Sequence, residues 1–217
     1  MHSAPDVDPR RFNDLELVVE AARAGVAAVL IKSHQNSTVE RAWLVEKVVP
    51  GIRVFGGLVL NRTVGGVNPH AVKLALRLGA WQIWTPTRSA ANHRRHHQQE
   101  GGITVLHPDG GLLPEVREVV RLVADSACIL STGHLAPEEG VALLQYAARA
   151  GVTRLVVTHH EWPAHFYPVD IQRDLAALGV FFERCFVSMT HRCGCLPIGV
   201  IAGAISEVGF ESSVARQ

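Results

Sequence analysis

The sequence predicts an α/β fold of the TIM-like (β/α) barrel kind, incomplete at its first and last strands. Three observations carry this. Short apolar runs alternate with helical stretches of ten residues or more, the pattern of βαβ units and a mainly parallel sheet. Three of those runs give out into histidine: 26–31 into Lys32-Ser33-His34, 128–130 into Ser131-Thr132-Gly133-His134, and 155–157 into Thr158-His159-His160. Repeated polar residues at strand ends, each followed by a helix, point to one mouth built from several βα loops, where an α/β barrel keeps its chemistry. Finally, only six or seven strands can be counted, against the eight that close such a barrel.

The elements follow in order. Asn13-Asp14 caps a helix over 15–24 that Gly25 closes, and 26–31 is a buried strand. A helix starts at Ser37-Thr38-Val39-Glu40 and reaches Val49 before Pro50-Gly51. The second strand is 52–60, with Gly56-Gly57 permitting close backbone approach. Asn68-Pro69 opens a helix to Leu78, with Pro in its favoured first turn. Residues 81–84 form a short strand and 89–99 a polar helix. Residues 103–106 read as a strand or hairpin arm before the turn Pro108-Asp109-Gly110-Gly111. A helix over 114–124, a strand over 127–130, a helix over 137–150 and a strand over 154–157 follow. The chain then reads as a helix over 168–178, a strand over 180–182 ending in Glu183, and a last helix over 198–208. Met1-His2-Ser3-Ala4-Pro5-Asp6 reads like the loop after a first strand whose body is missing. Residues 211–217 are polar and give no apolar run for a last one. No linker or repeat divides the 217 residues, so one domain is expected.

Composition narrows the function. A 47% hydrophobic fraction and a mean hydropathy of +0.15 mark a folded globular chain rather than a disordered one. A formal net charge of +1 makes no case for nucleic acid or an anionic membrane. No apolar stretch reaches the roughly 18 uncharged residues of a membrane helix. Asp6, Asp8, Arg10 and Arg11 stand where a secretory signal would have its apolar region, so a cytoplasmic protein is expected. Cys128, Cys185, Cys193 and Cys195 are too few to scaffold a chain this long and are expected as reduced thiols. Without a Gly-x-Ser-x-Gly elbow, a serine hydrolase is not indicated.

Nearly the whole chain, from His2 to about Gly209, resembles a bacterial branch of the amidohydrolase-like metal-dependent hydrolases. The stretches that carry the resemblance are His2-Ser3-Ala4-Pro5-Asp6, Lys32-Ser33-His34, Thr132-Gly133-His134-Leu135 and Val157-Thr158-His159. It implies a distorted TIM barrel with one or two divalent metals at the strand C-terminal ends. It also implies hydrolysis of an amide, ester or phosphoester by a metal-activated water. In that superfamily a His-x-His pair ends the first strand, two later strands each donate a His, and the last donates an Asp. His2 matches the second member of the pair, while His134 and His159 match the later histidines. No Asp matches the last-strand position, and no lysine lies on the 81–85 strand, where some members carry a bridging Lys.

The chemistry asked of these residues is simple. A catalytic zinc takes about three protein ligands and keeps an open position. His134 and His159 supply two, with His34 or His2 as the third. Zn²⁺ is the first expectation, with Mn²⁺ or Fe²⁺ as alternatives. Glu183 is either an oxygen ligand or the general base. Lys32 is placed to polarise a substrate oxygen, and His160 sits beside a ligand as a further catalytic candidate. Arg62, Arg88 and His165 are candidates for holding a small-molecule substrate. The run Asn92-His93-Arg94-Arg95-His96-His97 reads as a solvated helix face, or alternatively as a contact for an anionic substrate or a lid. His191-Arg192-Cys193-Gly194-Cys195 offers soft ligands without the second pair of a structural zinc site. Two other readings stay open: a non-catalytic barrel that binds metal or ligand, and a Schiff-base lyase using Lys32. Open sheet edges at both ends lead to the expectation of a homodimer or higher homo-oligomer.

Overall fold

A computed structural model describes residues 1–190 and 195–216. Its architecture is α/β with every strand pairing parallel. Helix α1 (Asp14–Arg23) leads to β1 (Ala28–Leu30), and α2 (Val39–Val48) to β2 (Arg53–Phe55) and β3 (Gly57–Val59). Then come α3 (Pro69–Arg77), β4 (Gln82–Trp84), α4 (Ala91–His96), α5 (Pro114–Ala124), β5 (Ile129–Ser131), α6 (Pro137–Arg149) and β6 (Leu155–Val157). The chain continues through α7 (Val169–Ala176), β7 (Val180–Cys185) and α8 (Ile198–Val208) to β8 (Ser213–Arg216). β1 pairs with β2, and β3 to β8 form a six-stranded sheet in sequence order. Because every pairing is parallel, all strand C-terminal ends lie on one side, and the loops that follow them meet there.

The expected second strand is one extended segment divided at Gly56. Its first half pairs with β1 and its second with β4, so it links the two sheets. The division has a local cause. Thr38, just before α2, donates its hydroxyl to Ile31 O at 2.8 Å and receives the Gly57 amide at 2.9 Å. This brings the Thr38 backbone so near that a Cβ on Gly56 would sit 2.3 Å from Thr38 O. Helices bury the faces their periodicity predicts. On α5, Val116, Val119, Val120 and Val123 are buried at spacings of three and four. Each such valine contributes about 1.5–3 kcal/mol on the side-chain burial scale.

Two expectations need correction. A last strand exists: β8 pairs with β7 through Phe182–Ser213 to Cys185–Arg216. Its polar sequence hid it, because an edge strand is held mainly by backbone pairing and does not require an apolar run. Arg184 Nε helps by donating to Ser213 Oγ at 3.2 Å. No aspartate accompanies it. The 103–106 segment is no strand; only the isolated bridges Ala90–Ile103 and Leu106–Leu112 form. It is pinned instead by Glu139 in the first turn of α6, whose Oε1 accepts from Thr104 Oγ1 and, at 3.0 Å, from Val105 N. At the other end, Met1 takes a strand-like place beside β1, with its amino group donating to Leu30 O and its carbonyl accepting from Lys32 N. A largely apolar cavity of about 760 Å³ lies next to it, between α1, β1 and Val214 of β8.

Substituting Gly56→Ala should force the Thr38 backbone to move, at about 1–3 kcal/mol or more. Gly203→Ala lies in the exposed middle of α8, where an added Cβ would meet only open space. It should instead add about 0.5–1 kcal/mol. Thermal denaturation should therefore show opposite shifts in Tm. Equal midpoints for the two variants would remove the close-approach account of Gly56.

Candidate metal centre

β6 and β7 bring the most ligand-rich group together. Along β7 the side chains alternate, so Glu183 and Cys185 share a face, and both are buried there. His159 follows β6 with φ of +50°, a left-handed backbone that a non-glycine residue adopts at a cost and that recurs at functional sites. That turn aims its Nδ1 to within 2.8 Å of Cys185 Sγ and 3.3 Å of Glu183 Oε2. The ligand atoms of His159, Glu183 and Cys185 all lie within 4.8 Å of one another. A half-buried imidazole beside a buried carboxylate and thiol suits a borderline-soft divalent ion such as zinc.

More imidazoles surround this group. His134 follows β5 through Thr132-Gly133, and Gly133 has φ of +56°. A Cβ there would lie 2.3 Å from Thr85 O, so the turn that delivers His134 demands glycine. The His134 ring is 5.8 Å from that of His159 and stacks on His165 at 5.1 Å. Its Nδ1 lies 2.9 Å from His93 Nδ1. Among the described residues, His134 Nε2 and both ring nitrogens of His165 are buried with no hydrogen-bond partner. Such orphaned nitrogens fit a centre made to receive a ligand that completes them.

His34, after β1, lies 6.0 Å from His134 and stacks on His2 at 4.6 Å. Its Nδ1 meets Thr87 Oγ1 at 2.8 Å, and Asn61 Nδ2 donates both to that oxygen and to His34 O. Asn61 Oδ1 accepts from the amides of Thr87 and Ser89. Asn61 thus fastens three strand-end loops together, the kind of outer support that orients metal-binding histidines.

Burial sets the charge state of the cluster. It is the largest cause in every case. Helped by Lys32 and Arg88, it pushes His34 down to about 2. Helped by the neighbouring His97, it pushes His93 to about 4, and it pushes His165 to about 3. His134 is held well below its ordinary value. These rings are neutral at pH 7, the form that binds metal. By contrast, burial pushes the Cys128 thiol, away from this cluster, up to about 12.

The predicted residues divide. His2, His34, His134, His159, His165 and Glu183 converge. Arg88 lines the cavity above them and pairs with Asp8. Lys32 is fully buried with its ammonium 4.8 Å from the Trp84 ring, rather than lining that cavity. His160 turns away into a buried cluster: its Nε2 meets Arg184 Nη1 at 2.8 Å, and Arg184 also holds Glu161 and Gln172. Burial, then Arg184, pushes His160 to about 3, so its 3.5 Å approach to Glu161 is no ion pair at neutral pH. Arg62 is exposed and lines a separate cavity with Gly65, Gly66, Ile103 and Glu115. Residues 191–194 of the Cys-x-Cys stretch lie outside the described residues. Sequence reasoning missed Cys185 and the bridging role of the Asn61 side chain, and it placed His93 on a solvated helix face or lid rather than against His134. Cys185 carried a usable signal, two residues after Glu183 on one strand.

Fold and site together define an α/β protein with an amidohydrolase-like arrangement of parallel strands. A crystal structure of an amidohydrolase from Pseudomonas aeruginosa superposes with a TM-score of 0.53 at 12% identity, covering 93% of this chain and 59% of that one. This chain thus spans about 59% of that protein's length, and the likeness is one of fold. A 2,3-dimethylmalate lyase of the PEP mutase/isocitrate lyase superfamily aligns at a TM-score of 0.38 and 10% identity, over 72% of this chain and 55% of that one. The chain belongs to a family of unknown function, DUF6282, whose model matches residues 1–183. That match includes Glu183 and stops short of Cys185. No curated protein sequence matches. No helix among the described residues is long and apolar enough to cross a membrane.

The neutral histidines make stability depend on pH in a known direction. Folded, they bind protons at about 2–4, against 6.5 for an unperturbed ring. The unfolded chain therefore takes up more protons between those values. Metal-free protein should be fully stable above pH 6.5 and lose stability as pH falls towards 4. Urea midpoints measured from pH 7.5 to 4.5 should decline steadily; a constant midpoint would show that the rings are not desolvated.

Proposed function

We propose that this protein is a metal-dependent hydrolase whose ion is held by His159, Glu183 and Cys185, with His134 as the neighbouring imidazole donor. The observation that carries the reading is the largely buried His159–Glu183–Cys185 cluster at the C-terminal ends of adjacent parallel strands. The amidohydrolase-like fold, read as an irregular TIM-like barrel, supports it, since such folds place their chemistry on that side. A divalent ion there would lower the pKa of water and polarise a carbonyl or phosphoryl oxygen. Zinc is the preferred ion because a thiolate donor favours it over hard-ligand metals.

The chain's own residues supply the rest. Glu183 has two oxygens, so one can hold the ion while the other accepts the proton of the attacking water. His34, its Nδ1 held at Thr87 and its ring stacked on His2, forms part of the cavity floor. His165, stacked on His134, fixes that ring's plane. An ester, phosphoester or amide is the substrate class, and activated leaving groups should be preferred because they leave without protonation. Lys32 is buried over Trp84 and does not line the cavity, which speaks against a Schiff-base reaction with a substrate there.

His159→Ala and Cys185→Ser should each weaken zinc binding at least about 100-fold, measured by competition with a chromogenic chelator. His134→Ala should weaken it about 10–100-fold, in the range of residues that support a metal site. Circular dichroism should stay unchanged in all three. Turnover of an aryl ester, an aryl phosphotriester and an anilide should vanish with chelator and return with zinc. Wild-type zinc affinity in His159→Ala would end this assignment, and stoichiometric zinc without turnover of any of the three would reduce the protein to a metal-binding one.

A further inference from the structure

The cavity over the strand ends has about 610 Å³ of space, within the range of small-molecule sites. Its floor is His34, His134 and His159, and its rim carries Arg88 and Arg94. Trp162 forms one wall, with its ring 5.5 Å from that of His134. Among the described residues that line it, none is acidic. Arg94 Nε donates to Glu100 O at 2.9 Å, which anchors the side chain near its head. Its terminal nitrogens form no hydrogen bond among the described residues. Arg88 shares its guanidinium with Asp8, and the α4 turn carrying His93 and Arg94 is tied to the loop after β6 by Asn92 Nδ2, which donates to Ala164 O at 2.6 Å.

We propose that this cavity takes a small molecule bearing a carboxylate or phosphoryl oxyanion, with the anion held by Arg88 and Arg94 and a planar or apolar body against Trp162. The inference deepens the hydrolase reading and rests on it for the reaction, but the anion site itself is built only from the chain. Planar guanidinium forks match both kinds of oxyanion, and an indole face suits a flat body. The field points the same way. The cations acting on the floor are Lys32, Arg88 and Arg10 at His34 and Lys32 at His134. Asp6 and Asp8 offset Arg10 and Arg88 in part, and Glu183 is the opposing charge beside His159, which a bound cation would offset. A cationic substrate would be repelled from such a cavity and an anionic one drawn in.

Metal-free protein, prepared with chelator, is titrated calorimetrically with benzoate, inorganic phosphate and the neutral isostere benzamide, and the series is repeated with zinc. At least one of the two anions should bind the metal-free protein, benzamide should not, and Arg94→Gln should weaken the binding at least tenfold. Arg88→Lys, which keeps the charge towards Asp8 but loses the fork, should weaken it several-fold. Raising sodium chloride from 50 to 500 mM should weaken it in the unmodified protein, a readout that needs no variant. Binding of benzoate alone assigns a carboxylate, and of phosphate alone a phosphoryl group; both support the proposal. Anion binding that requires zinc and ignores both arginine variants overturns it while leaving the hydrolase reading intact. Arginine-dependent binding in a protein that takes up no zinc keeps the anion site and removes the metal. Absence of anion binding in both states overturns the proposal.

Discussion

The candidate site depends on desolvation. Imidazole rings from four separate segments, His34, His93, His134 and His165, are packed where water does not reach most of their nitrogens, and burial is the leading reason that each stays uncharged. In water these groups would be partly protonated and would repel one another, as would the cations around them. Kept neutral, they can pack with ring centroids 4.8 to 6.0 Å apart and present lone pairs to a common space. The same burial leaves His134 Nε2 and the His165 nitrogens without partners among the described residues, a penalty of about 1–3 kcal/mol per group that a folded protein seldom carries without a use for it. A ligand that satisfied those atoms would add stability as well as chemistry.

Placing rings that closely is a backbone problem, and the chain solves it at a few positions. Gly133 allows the turn before His134 to lie against the Thr85 and Pro86 carbonyls. His159 adopts a left-handed conformation that turns its ring towards β7. Asn61 uses both ends of its amide to fasten the loops that bear His34 and Arg88. Arg184, on the opposite side of β7 from Glu183 and Cys185, gathers His160, Glu161, Gln172 and Ser213 into one buried network. That network holds the loop between His159 and His165 to α7 and β8. The result is a metal-type cluster facing inward and its support facing outward, from consecutive residues of one strand.

Much was legible from the sequence alone. Alternating apolar runs and amphipathic stretches determined the α/β class, the parallel pairing and nearly every helix, because periodicity reports directly which face is buried. α5 and α8 fall where Pro114 and the 198–208 run place them. Histidines at the ends of buried strands marked the side on which chemistry would gather, and His34, His134 and His159 do meet there. What escaped was whatever depends on partners distant in the chain. β8 is held by backbone bonds to β7 and so needs no apolar signature. His160 and Arg62 carry suitable side chains but point elsewhere, a matter of the turn each sits on. Cys185 joins the cluster only because β6 and β7 are adjacent, and His93 only because α4 lies against the loops that follow β5 and β6. Sequence determined which residues could bind a metal; packing decided which of them share a dry space within reach of one another, because that distance is set by strand order and backbone turns rather than by residue type.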